Sequence, residues 1–183
     1  MADIKDKLLQ VEENAVAFAK MSTDIVKKYT EELDSIMNQI HTMLLVETSP
    51  STDVLEKYLL TLTNTLFFVG EQAENLGVFD DVSKATFKDA YNKAYLDNQL
   101  TLTEKNKKPT VAESTATAEN QTIEDSMVNA IYARAYRLFK FKVDAGYEMV
   151  KSISKIISKR MNEQSVLPET SSKQLLNEGW ETL

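Results

Sequence analysis

Residues 3–46 contain neither glycine nor proline, and within them apolar or small residues fall at Ile4, Leu8, Val11, Ala15, Phe18, Ile25, Tyr29, Leu33, Ile36, Ile40 and Met43. The steps alternate between four and three up to Phe18 and again from Ile25, with one extra four-step from Tyr29 to Leu33. That period keeps one face of a helix against a partner helix, and the extra step is a stutter that relaxes supercoiling. Ser22-Thr23-Asp24 has the residue types of an N-cap, so one helix or two collinear helices both fit. The element ends at Glu47-Thr48-Ser49-Pro50, because proline disfavours helix in the residue before it. Only four glycines and three prolines occur in 183 residues, which favours long helices over a turn-rich β fold.

The next segment repeats the pattern. A second helix is expected to start near residues 51–53, where Asp53 and Glu56 have capping-box spacing. Leu55, Leu59, Leu62, Leu66, Val69, Ala73 and Leu76 then step by four and three, and Gly77 reads as the residue that stops the helix. Gly70 inside this run costs about 1 kcal/mol relative to alanine, and close approach of another helix is the expected reason for it. A third helix is expected over residues 81–96. Residues 97–109 read as a loop or short β arm, since Leu100 and Leu102 alternate with polar residues. Thr110 and Glu113 form a capping box, after which a long basic helix is expected over 110–163, about 75 Å if continuous from Val111 to Met161. Thr122 and Asp125 offer a further start within it. The chain thus divides into an acidic helical region (1–96), the loop or arm (97–109), the basic helix (110–163) and a flexible acidic tail (164–183). In the tail, Leu175, Leu176 and Trp180 are candidates for binding a partner protein or for packing on the protein's own body.

Composition excludes several chemistries. There are no cysteines, hence no disulfides, thiolate metal sites or cysteine nucleophile, and His41 is the only histidine. A helical di-iron site needs Glu-x-x-His pairs from two helices, which one histidine cannot supply. No phosphate loop, nucleotide fingerprint or Ser-His-Asp arrangement occurs. The expectation is a protein with no enzymatic activity and no cofactor. No apolar run approaches the roughly 20 residues that span a bilayer, and the N-terminus lacks a signal-peptide apolar core. A soluble, cytoplasmic protein without membrane contact is expected.

Charge is unevenly spread. The chain is net −7, yet residues 126–161 carry eight basic residues and two acidic ones, with five aromatics among them. The run Tyr132-Ala133-Arg134-Ala135-Tyr136-Arg137-Leu138-Phe139-Lys140-Phe141-Lys142 interleaves rings with cations. Single-stranded nucleic acid is held in this way, by bases stacked on aromatic rings and phosphates neutralised by Lys and Arg. Lys151, Lys155 and Lys159 recur every four residues, Arg160 follows, and Lys105, Lys107 and Lys108 extend the basic track if their loop folds back. A plain structural account competes. Rings at this spacing also build a core, and pairs such as Lys140–Asp144 and Glu148–Lys151 stabilise a helix by a few tenths of a kcal/mol each. The acidic residues 1–81 could neutralise the basic stretch within the molecule or between subunits.

Thr110-Val111-Ala112-Glu113, Ser126-Met127-Val128, Tyr136-Arg137-Leu138 and Ile153-Ser154-Lys155-Ile156-Ile157-Ser158-Lys159-Arg160 resemble the UvsY-type recombination mediators of T-even-like phages. The resemblance covers about residues 85–162 and leaves the acidic first 80 residues unmatched. It implies a small, all-helical, oligomeric, non-enzymatic protein in the host cytoplasm. Such a protein binds single-stranded DNA and helps to load a recombinase against the single-strand-binding protein. The implied contacts are Arg134, Arg137, Lys140, Lys151, Lys155, Lys159 and Arg160. The expected fold is all-α: an elongated bundle on two long helices with heptad-like seams, homo-oligomeric. The leading function is a recombination or replication accessory that binds single-stranded DNA. The alternative is a structural or adaptor protein without nucleic-acid contact.

Overall fold

A computed structural model describes residues 2–46, 50–105 and 110–166. Four helices account for nearly all of them: α1 (Ala2–Val46), α2 (Thr52–Glu104), α3 (Val111–Gln121) and α4 (Ile123–Val166). No strand occurs among the described residues, so the protein is all-α. Three helices are long, with 45, 53 and 44 residues in α1, α2 and α4, rather than the two expected. The described residues form two compact units, one within Met1–Glu31 and Val69–Lys142 and the other within Glu32–Phe68 and Val143–Leu183.

Local signals account for the helix starts. Ser51 caps α2: its hydroxyl accepts from the Val54 amide at 3.4 Å and its carbonyl from the Leu55 amide at 3.1 Å. Asp53 sits in the first turn, where its charge suits the helix dipole. Thr110 caps α3, its Oγ1 accepting from the Glu113 amide at 3.3 Å. The Ser22-Thr23-Asp24 break does not occur. Thr23 donates to the carbonyl of Ala19 at 2.8 Å and α1 continues through it.

Three expectations are corrected. Gly77 does not stop α2, residues 81–96 are not a separate helix, and the loop or β arm assigned to 97–109 is helical as far as Glu104. Ala94 and Leu102 are buried eight residues apart, with Asn98 half-buried between them, which is a helical face and not a strand's. Asn98 donates to the Ser114 hydroxyl at 3.2 Å, and Thr101 and Thr103 return their hydroxyls to carbonyls one turn back. Residues 106–109 lie outside the described residues. The helix expected over 110–163 is two helices, parted at Thr122, whose φ of −110° and ψ of 19° leave the α region. Its hydroxyl bonds the Ala118 carbonyl at 2.8 Å, a back-bond that bends helices. α4 then runs on to Val166, so the tail assigned from 164 starts three residues inside it.

The core of the first unit is small and partly polar. Val26, Val69, Leu76, Ala118, Ala135 and Phe139 are buried alongside Ser22, Thr30, Ser83, Ser114 and Thr122. These hydroxyls link helices. Ser22 Oγ reaches the carbonyls of Phe18 at 3.0 Å and of Ile131, on α4, at 3.2 Å. Ser83 donates to the Asp80 carbonyl at 2.8 Å and lies 3.5 Å from Asn129 Oδ1 on α4. Among the described residues no buried side-chain polar atom lacks a partner, as a stable interior requires.

The core of the second unit is mainly aliphatic: Leu33, Ile36 and Ile40 from α1, Leu55, Leu62 and Leu66 from α2, and Val143, Ile153 and Ile157 from α4, with the hydroxyl of Thr65 buried beside them. The close helix approach expected at Gly70 lies here instead, at Gly146. A Cβ on Gly146 would stand 2.7 Å from Cδ2 of the fully buried Leu66, whereas one on Gly70 would meet nothing within 4 Å. Gly70→Ala is therefore expected to stabilise the protein by up to about 1 kcal/mol. Gly146→Ala should destabilise it, because overpacking a tight core costs about 1–3 kcal/mol and exceeds the helix-propensity gain. Urea denaturation of the two variants checks both signs.

Candidate nucleic-acid interface

The basic residues of α4 divide by what each cation meets. In the first unit, Arg134, Arg137 and Lys140 are exposed. Arg137 donates from Nε to the Ala133 carbonyl at 3.3 Å, which leaves its outer nitrogens free to turn to solvent. Lys140 Nζ sits 4.8 Å from the Tyr136 ring centroid. Among the described residues none of these three has a carboxylate partner. Lys142 is different: half-buried, it donates to the hydroxyl of the buried Thr30 on α1 at 3.1 Å. That bond links α4 to α1.

In the second unit Lys151 pairs with Glu148 at 2.6 Å and Lys159 with Glu163 at 3.8 Å, all four side chains more than half exposed. The hydrogen bond from Lys151 and its charge hold the Glu148 carboxyl below its ordinary range, with Lys155 adding to the effect. Lys155 is exposed. Arg160 is half-buried and donates to the Pro50 carbonyl, tying α4 to the segment between α1 and α2. Lys142 and Arg160 are thus structural cations, though the sequence grouped them with the contacts. Lys105 is exposed in the turn after α2. Lys107, Lys108, Leu175, Leu176 and Trp180 lie outside the described residues.

The aromatic residues answer a separate question. Phe139 is fully buried and meets Tyr29 edge-on, ring centroids 6.4 Å apart. Tyr132 stacks on Phe79 at 5.8 Å, and Tyr136 lies over Gly77 of α2. These three rings are packing groups, the role that the sequence left open beside base stacking. Phe141 is not: it is 69% exposed. Arg134, Arg137 and Phe141 follow one another at three and four residues, hence along one stripe of the helix. A cleft of about 310 Å³ beside it is floored by Phe18, Met127 and Ile131 and edged by Arg134 and Arg137. This arrangement can neutralise phosphates and offer one ring to a base.

His41 is exposed on α1, five residues before the helix ends. No group of three or more His, Asp or Glu residues that could hold a metal occurs among the described residues. No described helix is long and apolar enough to cross a membrane. Compared with known family models, curated proteins and solved structures, the chain finds no match.

Proposed function

We propose that the protein is a non-enzymatic recombination or replication accessory that holds single-stranded DNA by its phosphate backbone along the exposed face of α4. One observation carries this: Arg134, Arg137 and Lys140 stand exposed with no carboxylate partner among the described residues. No described carboxylate of the acidic half pairs with these three charges. Lys151, Lys155 and Lys159, on the part of α4 that belongs to the second unit, are further candidate contacts. With Phe139 buried and Tyr132 and Tyr136 half-buried in packing contacts, the site reads the backbone and stacks on Phe141, so it binds with little sequence preference. A recombinase or a single-strand-binding protein is the partner that the resemblance to UvsY-type mediators implies.

The test is a salt titration of affinity for a short oligonucleotide. Phosphate contacts release counterions, so log K should fall linearly with log salt, at about 0.7 per contact. No binding at low salt overturns the reading. Glu148→Gln frees Lys151 from its pair and should tighten binding and steepen that slope by about 0.7.

A homo-oligomer belongs to the same proposal. Ile4, Leu8 and Val11 continue the four-and-three pattern of α1, yet are exposed at 64%, 64% and 65%. A regular apolar stripe of this period fits a helix of equal pitch, and a second copy of α1 supplies one. Leu8→Glu should lower the mass found by light scattering to that of one chain. An unchanged mass would place the subunit contact elsewhere.

A further inference from the structure

The second unit holds an open groove of about 670 Å³, walled by Thr42, Met43 and Val46 of α1 and by Val54 and Tyr58 of α2. Val46 is 78% exposed and Val54 36%, so two branched side chains line it with surface still facing water. The volume lies in the range of sites that enclose a few side chains. Asn38 and Gln39 at its edge supply amides able to bond a peptide backbone.

The course of α4 indicates what fills it. Arg160 is bonded to the carbonyl of Pro50, which lies between the last turn of α1 and the first of α2, at the same end of the unit as the groove. Val166, where α4 ends, is six residues further on, about 9 Å of helix. Residues 167–183 follow, seventeen residues that reach about 55 Å when extended. That length returns the chain to the groove with residues to spare. The segment bears its large apolar side chains at Leu167, Leu175, Leu176, Trp180 and Leu183. Leu176 and Trp180, four apart, share one face if that stretch is helical.

We propose that residues 175–180 fold back into this groove of their own chain, with Trp180 against Met43, Val46, Val54 and Tyr58. Tethering favours this occupant over a second copy or a foreign peptide, because a short linker gives an effective concentration on the order of millimolar. No exposed cation of α4 forms a wall of the groove, so docking is independent of DNA binding.

Trp180 is the only tryptophan, so its fluorescence reports the site directly. The intact protein should show blue-shifted emission, weak quenching by acrylamide, and neither should change on dilution. Val46→Glu with Val54→Glu should return the emission to that of an indole in water. The helical circular dichroism should stay unchanged, because both side chains are already partly exposed. The chain has no cysteine, so Thr42→Cys with Trp180→Cys gives a second measurement. Oxidation should close a disulfide within one chain, whereas mixed single-cysteine chains should not cross-link. A water-exposed indole in the intact protein overturns the proposal. So does shielding that disappears on dilution, which would mark a second copy as the occupant. Shielding that survives both groove substitutions would mean the tail docks elsewhere, and would overturn it equally.

Discussion

Replacing Phe139 with alanine is expected to cost about 3–5 kcal/mol of folding stability, the range for truncating a buried phenylalanine. The side chain is fully buried and meets Tyr29 of α1 edge-on, so removing it leaves a cavity between α1 and α4 in the first unit. In a chain of this length each kcal/mol moves the melting temperature by about 2–4 °C, which makes the expected drop on the order of 10 °C. Phe141, two residues away, should behave in the opposite sense. It is 69% exposed, so Phe141→Ala should leave stability within about 0.5 kcal/mol. Loss of one stacked base should weaken single-stranded DNA binding by about 1–3 kcal/mol. Thermal melting and oligonucleotide affinity, measured on both variants, separate the two roles. A stable Phe139→Ala protein with weakened DNA binding would reverse the assignment of these rings.

The second large effect is expected from replacing Arg134, Arg137 and Lys140 together with alanine. All three are exposed and none has a carboxylate partner among the described residues, so the fold should be almost unaffected. If each meets one phosphate, the slope of log K against log salt should flatten by about 2, at roughly 0.7 per contact to a single strand. Binding at low salt should fall by at least about tenfold, since each tenfold step needs only about 1.4 kcal/mol from three charged contacts. Lys142→Ala is the matching control. Its ammonium is bonded to Thr30 inside the first unit, so its loss should lower stability and leave the salt slope unchanged. A salt slope that survives the triple substitution would place any DNA contact away from this face.

The pattern of residues 3–46 announced α1, and Thr110 with Glu113 announced the start of α3, because both signals are local. Periodicity needs only the turn of the helix, and a cap needs only one hydroxyl within reach of an amide three residues on. Gly77 misled for a related reason. Glycine favours helix ends but costs only about 1 kcal/mol inside one. At Gly77 an added Cβ would meet the Tyr136 ring only at an ordinary contact distance of 3.4 Å, and α2 passes through. Leu100 and Leu102 misled because alternation over so few residues does not distinguish a strand from a helix that buries Leu102 and exposes Leu100. The buried Ser22, Ser83, Ser114 and Thr122 carried no core signal in the sequence, since a hydroxyl looks polar until its acceptor is known.

The candidate interface was legible in composition and not in detail. Clustering of eight cations in residues 126–161 was plain from the chain alone. Their separation into exposed Arg134, Arg137 and Lys140, paired Lys151 and Lys159, and structural Lys142 and Arg160 was not. Each of those fates turns on whether an oxygen of another segment, or one a turn along the same helix, comes within reach.

By itself the sequence determined that the chain is helical, where most helices start, and that one helix is basic in an acidic protein. Those properties follow from backbone geometry, capping and charge, which act within a few residues. Tertiary structure decided that α2 is unbroken, that Phe139 is core while Phe141 is surface, and which cations of α4 are exposed and which are bonded to other groups of the fold. These depend on the neighbours that packing brings to each side chain, and burial by distant residues outweighs the small local preferences that the sequence expresses.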